Sequence, residues 1–204
     1  MSFSTLAQTK KYLALGDSYT IGESVAEAER WPVQLVKALD KKGVKYSTPT
    51  IIATTGWRTD DLAKAAMQAN LNDDYDLVSL LIGVNNQYQG KPADRQYEAE
   101  FQELLHVAIK AAGGKREHVF VVSIPDYGFT PFGKAKKEEI TKGIDQFNAA
   151  NEKIAKQNNT LYINITDISR KAIEQPDLVA GDGLHPSGKM YALWVERILE
   201  KRKF

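Results

Sequence analysis

Cysteine is absent from all 204 residues of this chain. That excludes disulfides, a thiolate nucleophile and any metal site built on cysteine ligands. It also leaves the redox compartment without a mark on the sequence. Long apolar runs are missing too: none approaches the about 18 residues that a membrane-spanning helix requires. Neither sign of charge is in excess, since 27 basic side chains face 26 acidic ones. A nucleic-acid surface is therefore not expected to be the chain's main business, because such domains carry a clear basic excess. Lys134, Lys136 and Lys137 form a local basic run, but Glu138 and Glu139 follow at once. That is the pattern of a solvated helix start. The glycines around Asp182 form no dinucleotide fingerprint, because no Gly-x-Gly-x-x-Gly follows a strand. Histidine is scarce, with three in all. A metal reading of Asp17, Asp182 and His185 thus lacks a second histidine at ligand spacing. His106 and His118 read as ordinary structural or surface residues.

What is present suits one globular domain over residues 1–204: 43% hydrophobic residues, no linker, no repeat and no low-complexity tract. Short apolar runs alternate with longer amphipathic ones. Strands are predicted at 12–15, 46–53, 77–82, 118–124 and 161–165. Helices are predicted at 31–39, 59–68, 93–112, 136–157 and 187–201. Pro32 is tolerated in a first helical turn, Thr59 reads as a cap, and Gly113 and Gly114 read as a helix stop. This alternation implies a three-layer α/β/α sandwich around a flavodoxin-like, five-stranded parallel sheet. Residues 1–10 read as a flexible N-terminus. Met1 to Gln8 is too short for a full signal peptide, so the chain as written reads as cytoplasmic. Phe3 to Gln8 nevertheless resembles the tail end of such a peptide, and a longer periplasmic or secreted precursor is the alternative.

In sheets of this kind ligands sit outside the carboxyl ends of the strands. Gly16-Asp17-Ser18 leaves the first strand there, Thr54-Thr55-Gly56 the second and Gly83-Val84-Asn85-Asn86 the third. Asp182-Gly183-Leu184-His185-Pro186 precedes the last helix and reaches the same edge if it lies beyond the fifth strand. A serine nucleophile needs a base, and the base needs an orienting group. Ser18 is the candidate nucleophile, His185 the base and Asp182 its orienter. Gly16 permits a tight turn, while Asp17 reads as a backbone-bonding turn residue. An oxyanion needs preorganised donors, and the candidates are the N–H groups of Ser18 and Gly56 and the amide of Asn85.

Taken in order, Gly16-Asp17-Ser18, Gly56, Gly83-Val84-Asn85-Asn86 and Asp182 to Pro186 resemble the four blocks of the SGNH/GDSL hydrolase family. The resemblance spans residue 12 to about 190. It implies catalytic Ser18, Asp182 and His185, oxyanion donors Ser18, Gly56 and Asn85, the three-layer fold, no cofactor, and hydrolysis of esters or thioesters. One position departs: Asn86 stands where the third block usually has aspartate. The hydrogen-bonding shape is kept and the charge is lost, so a different loop anchoring is expected. No Gly-x-Ser-x-Gly elbow is present.

The function expected is a serine-dependent carboxylic ester hydrolase taking a small-molecule ester, with short acyl groups favoured because the chain leaves little room for a lid. The alternatives are a lysophospholipase- or thioesterase-like lipid acyl hydrolase, and a non-catalytic carbohydrate- or lipid-binding module on the same fold. Trp57, Arg58 and Tyr88 are expected to rim the site. Tyr127 and Phe129, in an aromatic stretch that continues to Pro131 and Phe132, are expected to line a pocket or to cover the sheet end. Oligomeric state is not legible.

Overall fold

A computed structural model describes residues 9–204. Five parallel strands form one sheet: β1 (Tyr12–Gly16), β2 (Thr50–Ala53), β3 (Leu77–Leu81), β4 (Val119–Val122) and β5 (Leu161–Ile163), in spatial order β2-β1-β3-β4-β5. β1 and β3 are buried along their whole length. This is why each reads as a near-continuous apolar run rather than an alternating one. The two polar groups they carry satisfy each other, with Tyr12 Oη and Ser79 Oγ 2.8 Å apart.

Eight helices accompany the sheet among the described residues: α1 (Ser18–Ile21), α2 (Trp31–Asp40), α3 (Thr59–Gln68), α4 (Val84–Tyr88), α5 (Arg95–Ala111), α6 (Lys137–Gln157), α7 (Thr166–Ser169) and α8 (Gly188–Lys201). α2 packs on α8 to make one outer layer, and α3, α5 and α6 pack in series to make the other. Trp31, the first residue of α2, is fully buried against Tyr12 and Phe120, with ring centroids 6.5 and 6.4 Å apart. Truncating such a side chain to alanine costs about 3–5 kcal/mol.

Local chemistry explains most boundaries. Asp94 caps α5 by accepting from the N–H groups of Gln96 and Tyr97 at 3.0 and 3.1 Å, and the helix ends before Gly113 and Gly114. Ser187 caps α8 by accepting from Met190 N–H at 3.3 Å. Other boundaries shift. The second strand is shorter than the expected 46–53: Tyr46 forms only an isolated bridge with Lys10, and regular pairing starts at Thr50. The cap of α3 is Arg58, not Thr59. Its N–H donates back to Asp61 Oδ2 at 3.2 Å, while Thr59 is already helical. The N-terminal flexibility and signal-like character expected of the first residues fall, for 1–8, outside the described residues. Lys10 is fixed, donating to Lys45 O at 3.0 Å.

The chain winds from β1 outward to β2, then crosses to β3 on the other side of β1. The strand order therefore reverses between β1 and β3, and a crevice opens at their carboxyl ends.

Candidate active site

The crevice is furnished largely by residues that follow β1, β2 and β3. Gly16 closes β1, and a Cβ there would collide with Thr20 Oγ1 and lie 2.6 Å from the Leu81 carbonyl of the neighbouring strand. Only glycine lets the chain turn so close to β3. Asp17 then caps α1, its Oδ1 accepting from Tyr19 N–H at 3.0 Å. This exposes the Ser18 N–H at the start of the helix, where the helix itself has no use for it. The Asp17 carboxyl is fully buried and its Oδ2 has no partner among the described residues. Burial pushes it up to about 7, against the lowering effect of the backbone hydrogen bond.

After β2, Gly56 adopts φ +85°, a left-handed conformation that a side chain would strain, although a Cβ there would meet nothing within 4 Å among the described residues. The constraint is conformational, and its result is a backbone that faces the cavity without a side chain in front of it. After β3, Asn85 on α4 donates from Nδ2 to the Trp57 carbonyl at 2.9 Å. One N–H of the amide thus ties α4 to the Gly56 loop, and its second N–H remains as a donor.

Asn86 does a different task. Its Oδ1 accepts from Thr59 N–H at 3.2 Å, and its Nδ2 donates to Thr59 Oγ1 at 2.8 Å. Thr59 Oγ1 in turn donates to the Glu100 carboxylate. An aspartate could not donate to that hydroxyl. With asparagine, the negative charge of the network lies on Glu100 instead.

The last contributor is the loop before α8. Asp182 Oδ1 accepts from the N–H groups of Leu184 and His185 at 2.9 and 3.0 Å, and Oδ2 lies 2.6 Å from His185 Nδ1. Burial alone would raise the Asp182 carboxyl. Hydrogen bonds from Ser24, His185 and those two backbone groups outweigh it and hold it well below the usual carboxylate range. An ionised carboxylate only accepts, so Nδ1 carries the proton and Nε2 is left as the acceptor. The imidazole is nearly buried, with the Tyr19 ring edge-on at 5.7 Å. The loop is braced from behind by the Val179–Pro186 bridge.

Ser18, Gly56, Asn85 and His185 share the wall of one cavity of about 260 Å³, with Asp182 directly behind the imidazole. Among the described residues no hydrogen bond joins Ser18 to His185. Tyr88 and Tyr127 line the same cavity, together with Phe132, Tyr19, Thr55, Val84 and Leu184. Tyr88, Tyr127 and Phe132 form an aromatic cluster with centroids 6.1 to 6.4 Å apart, and Gln87 fixes the Tyr127 hydroxyl at 2.8 Å.

Three expected rim residues lie elsewhere. Trp57 packs partly buried against the core and contributes its carbonyl to Asn85. Arg58 is engaged by Asp60 at 3.0 Å and by Gln89, and it lines a separate polar cleft with Lys91 and Glu100. Phe129 lies under the Lys137 ammonium at 4.3 Å, on another groove. His106 sits at the surface against Asn158, and His118 ends a single 3-10 turn. Among the described residues no group of three or more histidine or carboxylate side chains is placed to hold a metal ion, and no helix is long and apolar enough to cross a membrane.

Residues 14–193 match the model of the GDSL-like lipase/acylhydrolase family. No curated protein matches the chain. Among solved structures the fold is similar to that of TesA, with a TM-score of 0.74 at 17% identity over 94% of this chain and 97% of that one. It is similar to a mutant of Axe2, an acetyl-xylooligosaccharide esterase from Geobacillus Stearmophilus, with a TM-score of 0.73 at 18% identity over 96% and 94%. A lipase/acylhydrolase from Enterococcus faecalis gives 0.70 at 20% identity over 94% of each chain.

Proposed function

This chain belongs to the GDSL-like lipase/acylhydrolase family, and from that premise we propose that it is a serine-dependent carboxylic ester hydrolase acting on short acyl groups through an acyl-enzyme. The observation that carries the reading is the single cavity bounded by Ser18, Gly56, Asn85 and His185, with Asp182 Oδ2 2.6 Å behind the imidazole.

In this reading His185 Nε2 takes the Ser18 hydroxyl proton as Oγ attacks the ester carbonyl. The tetrahedral oxyanion receives hydrogen bonds from the Ser18 and Gly56 N–H groups and from the second N–H of Asn85. His185 then gives the proton to the departing alkoxide, which leaves as the alcohol. Water, deprotonated by the same imidazole, attacks the acyl-enzyme; collapse releases the carboxylic acid and restores Ser18. Asp182 keeps its charge throughout, holding the tautomer and stabilising the imidazolium. The Ser18–His185 hydrogen bond forms as substrate binds, a tightening common in hydrolases.

Size supports the short acyl group. A cavity of about 260 Å³ exceeds the ~150 Å³ that holds benzene and falls below the ~300–1,000 Å³ of sites for drug-sized ligands. Its walls are mostly apolar, and exposed Tyr88 and Phe132 border the side where a carrier would lie. The test is hydrolysis of p-nitrophenyl esters of increasing chain length by wild type and Ser18→Ala. Turnover is expected to be highest with acetyl and butyryl esters, and to fall on the order of a thousandfold or more in Ser18→Ala. Equal turnover by the two proteins would refute the mechanism, and a maximum with long-chain esters would refute the short acyl group.

A further inference from the structure

Asp182 is held by more than the histidine beside it. Ser24 Oγ donates to Asp182 Oδ2 at 2.7 Å, on the same oxygen that receives His185 Nδ1. Oδ1 is fixed by two backbone N–H groups of its own loop, but among the described residues Oδ2 has only these two partners. The Asp182 side chain is 30% exposed, so water competes for any lone pair that the protein leaves free.

Ser24 itself stands in an unusual conformation, with φ +64°. That region disfavours any residue with a Cβ, and glycine or asparagine occupy it more readily. Serine is therefore not the residue that backbone geometry selects, and its side chain is exposed, so core packing does not select it either. What serine adds is a second donor to Oδ2, beside the imidazole. The turn that presents it is anchored to the nucleophile: the N–H groups of Gly22 and Glu23 both donate to the Ser18 carbonyl at 3.0 Å. Glu23, in turn, accepts from Thr55 Oγ1, next to Gly56. One turn thus connects the nucleophile, the Gly56 loop and the carboxylate.

We propose that Ser24 is a positioning residue of the acyl-transfer site, its hydroxyl fixing the Asp182 carboxylate so that Oδ2 stays aligned with His185 Nδ1. This rests on the hydrolase reading above. Without the hydroxyl, Oδ2 exchanges a fixed donor for mobile water, and the imidazole loses part of its alignment at the moment it takes the Ser18 proton. The effect falls on the chemical step and not on ester binding, because Ser24 does not border the cavity.

The test compares wild type, Ser18→Ala, Ser24→Gly and Ser24→Asn. It measures kcat and KM on p-nitrophenyl acetate, the rate of covalent labelling by a fluorophosphonate, and the thermal midpoint. Ser24→Gly is expected to lower kcat and the labelling rate about tenfold, as fits loss of one hydrogen bond to a charged group. KM should stay within about twofold, and the thermal midpoint should hold or rise because glycine relaxes the left-handed turn. Ser24→Asn, which accepts that conformation and carries an amide donor, is expected to recover part of the rate. Wild-type kcat and labelling in Ser24→Gly would overturn the proposal while leaving the hydrolase reading intact. A rate loss that tracks a fall in thermal midpoint, with no recovery in Ser24→Asn, would overturn it in favour of a structural role. If Ser18 is neither labelled nor needed in wild type, the hydrolase reading fails and this inference falls with it.

Discussion

Asp17 gives the chain a pH-dependent stability that one substitution should remove. Its carboxyl is completely buried at the N-terminus of α1, one oxygen bonded to Tyr19 N–H and the other unpartnered among the described residues. Burial lifts it from 3.8 to about 7, a difference of about 4 kcal/mol between the two protonation states. A raised value means that the native state holds the proton more tightly than the unfolded chain does. The contribution to stability is therefore fully present below pH 3.8, is lost as pH rises toward 7, and is absent above it. The three tyrosines that feel its charge, and Asp182, stay out of that window. Tyr19, Tyr97 and Tyr191 are all pushed upward by burial and stay neutral, while Asp182 is held low and titrates below it.

Asp17→Asn keeps an oxygen to accept from Tyr19 N–H and removes the proton equilibrium. Urea unfolding followed by circular dichroism, from pH 4.5 to 8.5, would give the difference between wild type and variant at each pH. That difference should move against wild type by at most about 1.4 kcal/mol per pH unit and flatten above pH 7. Because the range starts above 3.8, the change seen between pH 4.5 and 8.5 should be about 3 kcal/mol. A difference that stays constant across this range would mean that Asp17 is ionised in the folded protein throughout, and the account of a carboxyl kept neutral by burial would be wrong.

Two further substitutions probe the site and its frame. Asn85→Ala removes the proposed oxyanion donor together with the tie to the Trp57 carbonyl, and kcat should fall by about 10²–10³ with little change in KM; a variant with near-normal kcat would exclude Asn85 from that role. Gly16→Ala forces a Cβ against Thr20 and to within 2.6 Å of the Leu81 carbonyl, so thermal or urea unfolding should register a loss of about 3 kcal/mol. Wild-type stability in that variant would show that β1 and β3 can separate without penalty.

The sequence was a good guide wherever a feature is local and periodic. α3 runs over the expected 59–68 because acids at 60 and 61 and apolar residues at helical spacing mark it. α1 and α4 were not legible, since four or five residues do not display a period. Ser18, Gly56 and Asn85 were readable from their places after strands, because parallel pairing brings those strand ends to one edge, whereas His185 lies on the loop before α8. The rim was less legible. Trp57 and Arg58 adjoin Gly56 in the chain, but the left-handed turn at Gly56 sends their side chains to the core and to Asp60. Ser24 carried no signal at all, because its contact with Asp182 depends on a turn conformation that serine does not announce.

The order of strands has a temporal consequence. Ser18 follows the first strand, whereas His185 lies beyond the fifth, on a loop set in place by α8, which packs on α2 near the other end of the chain. During synthesis Ser18 leaves the ribosome well before His185 does. Contacts between distant parts of a chain form late, because loop closure must precede them. A nascent or half-folded chain therefore carries Ser18 before His185 can be placed beside it. Under the proposed mechanism, hydrolytic competence then waits on the docking of α8, and turnover would report that it has docked.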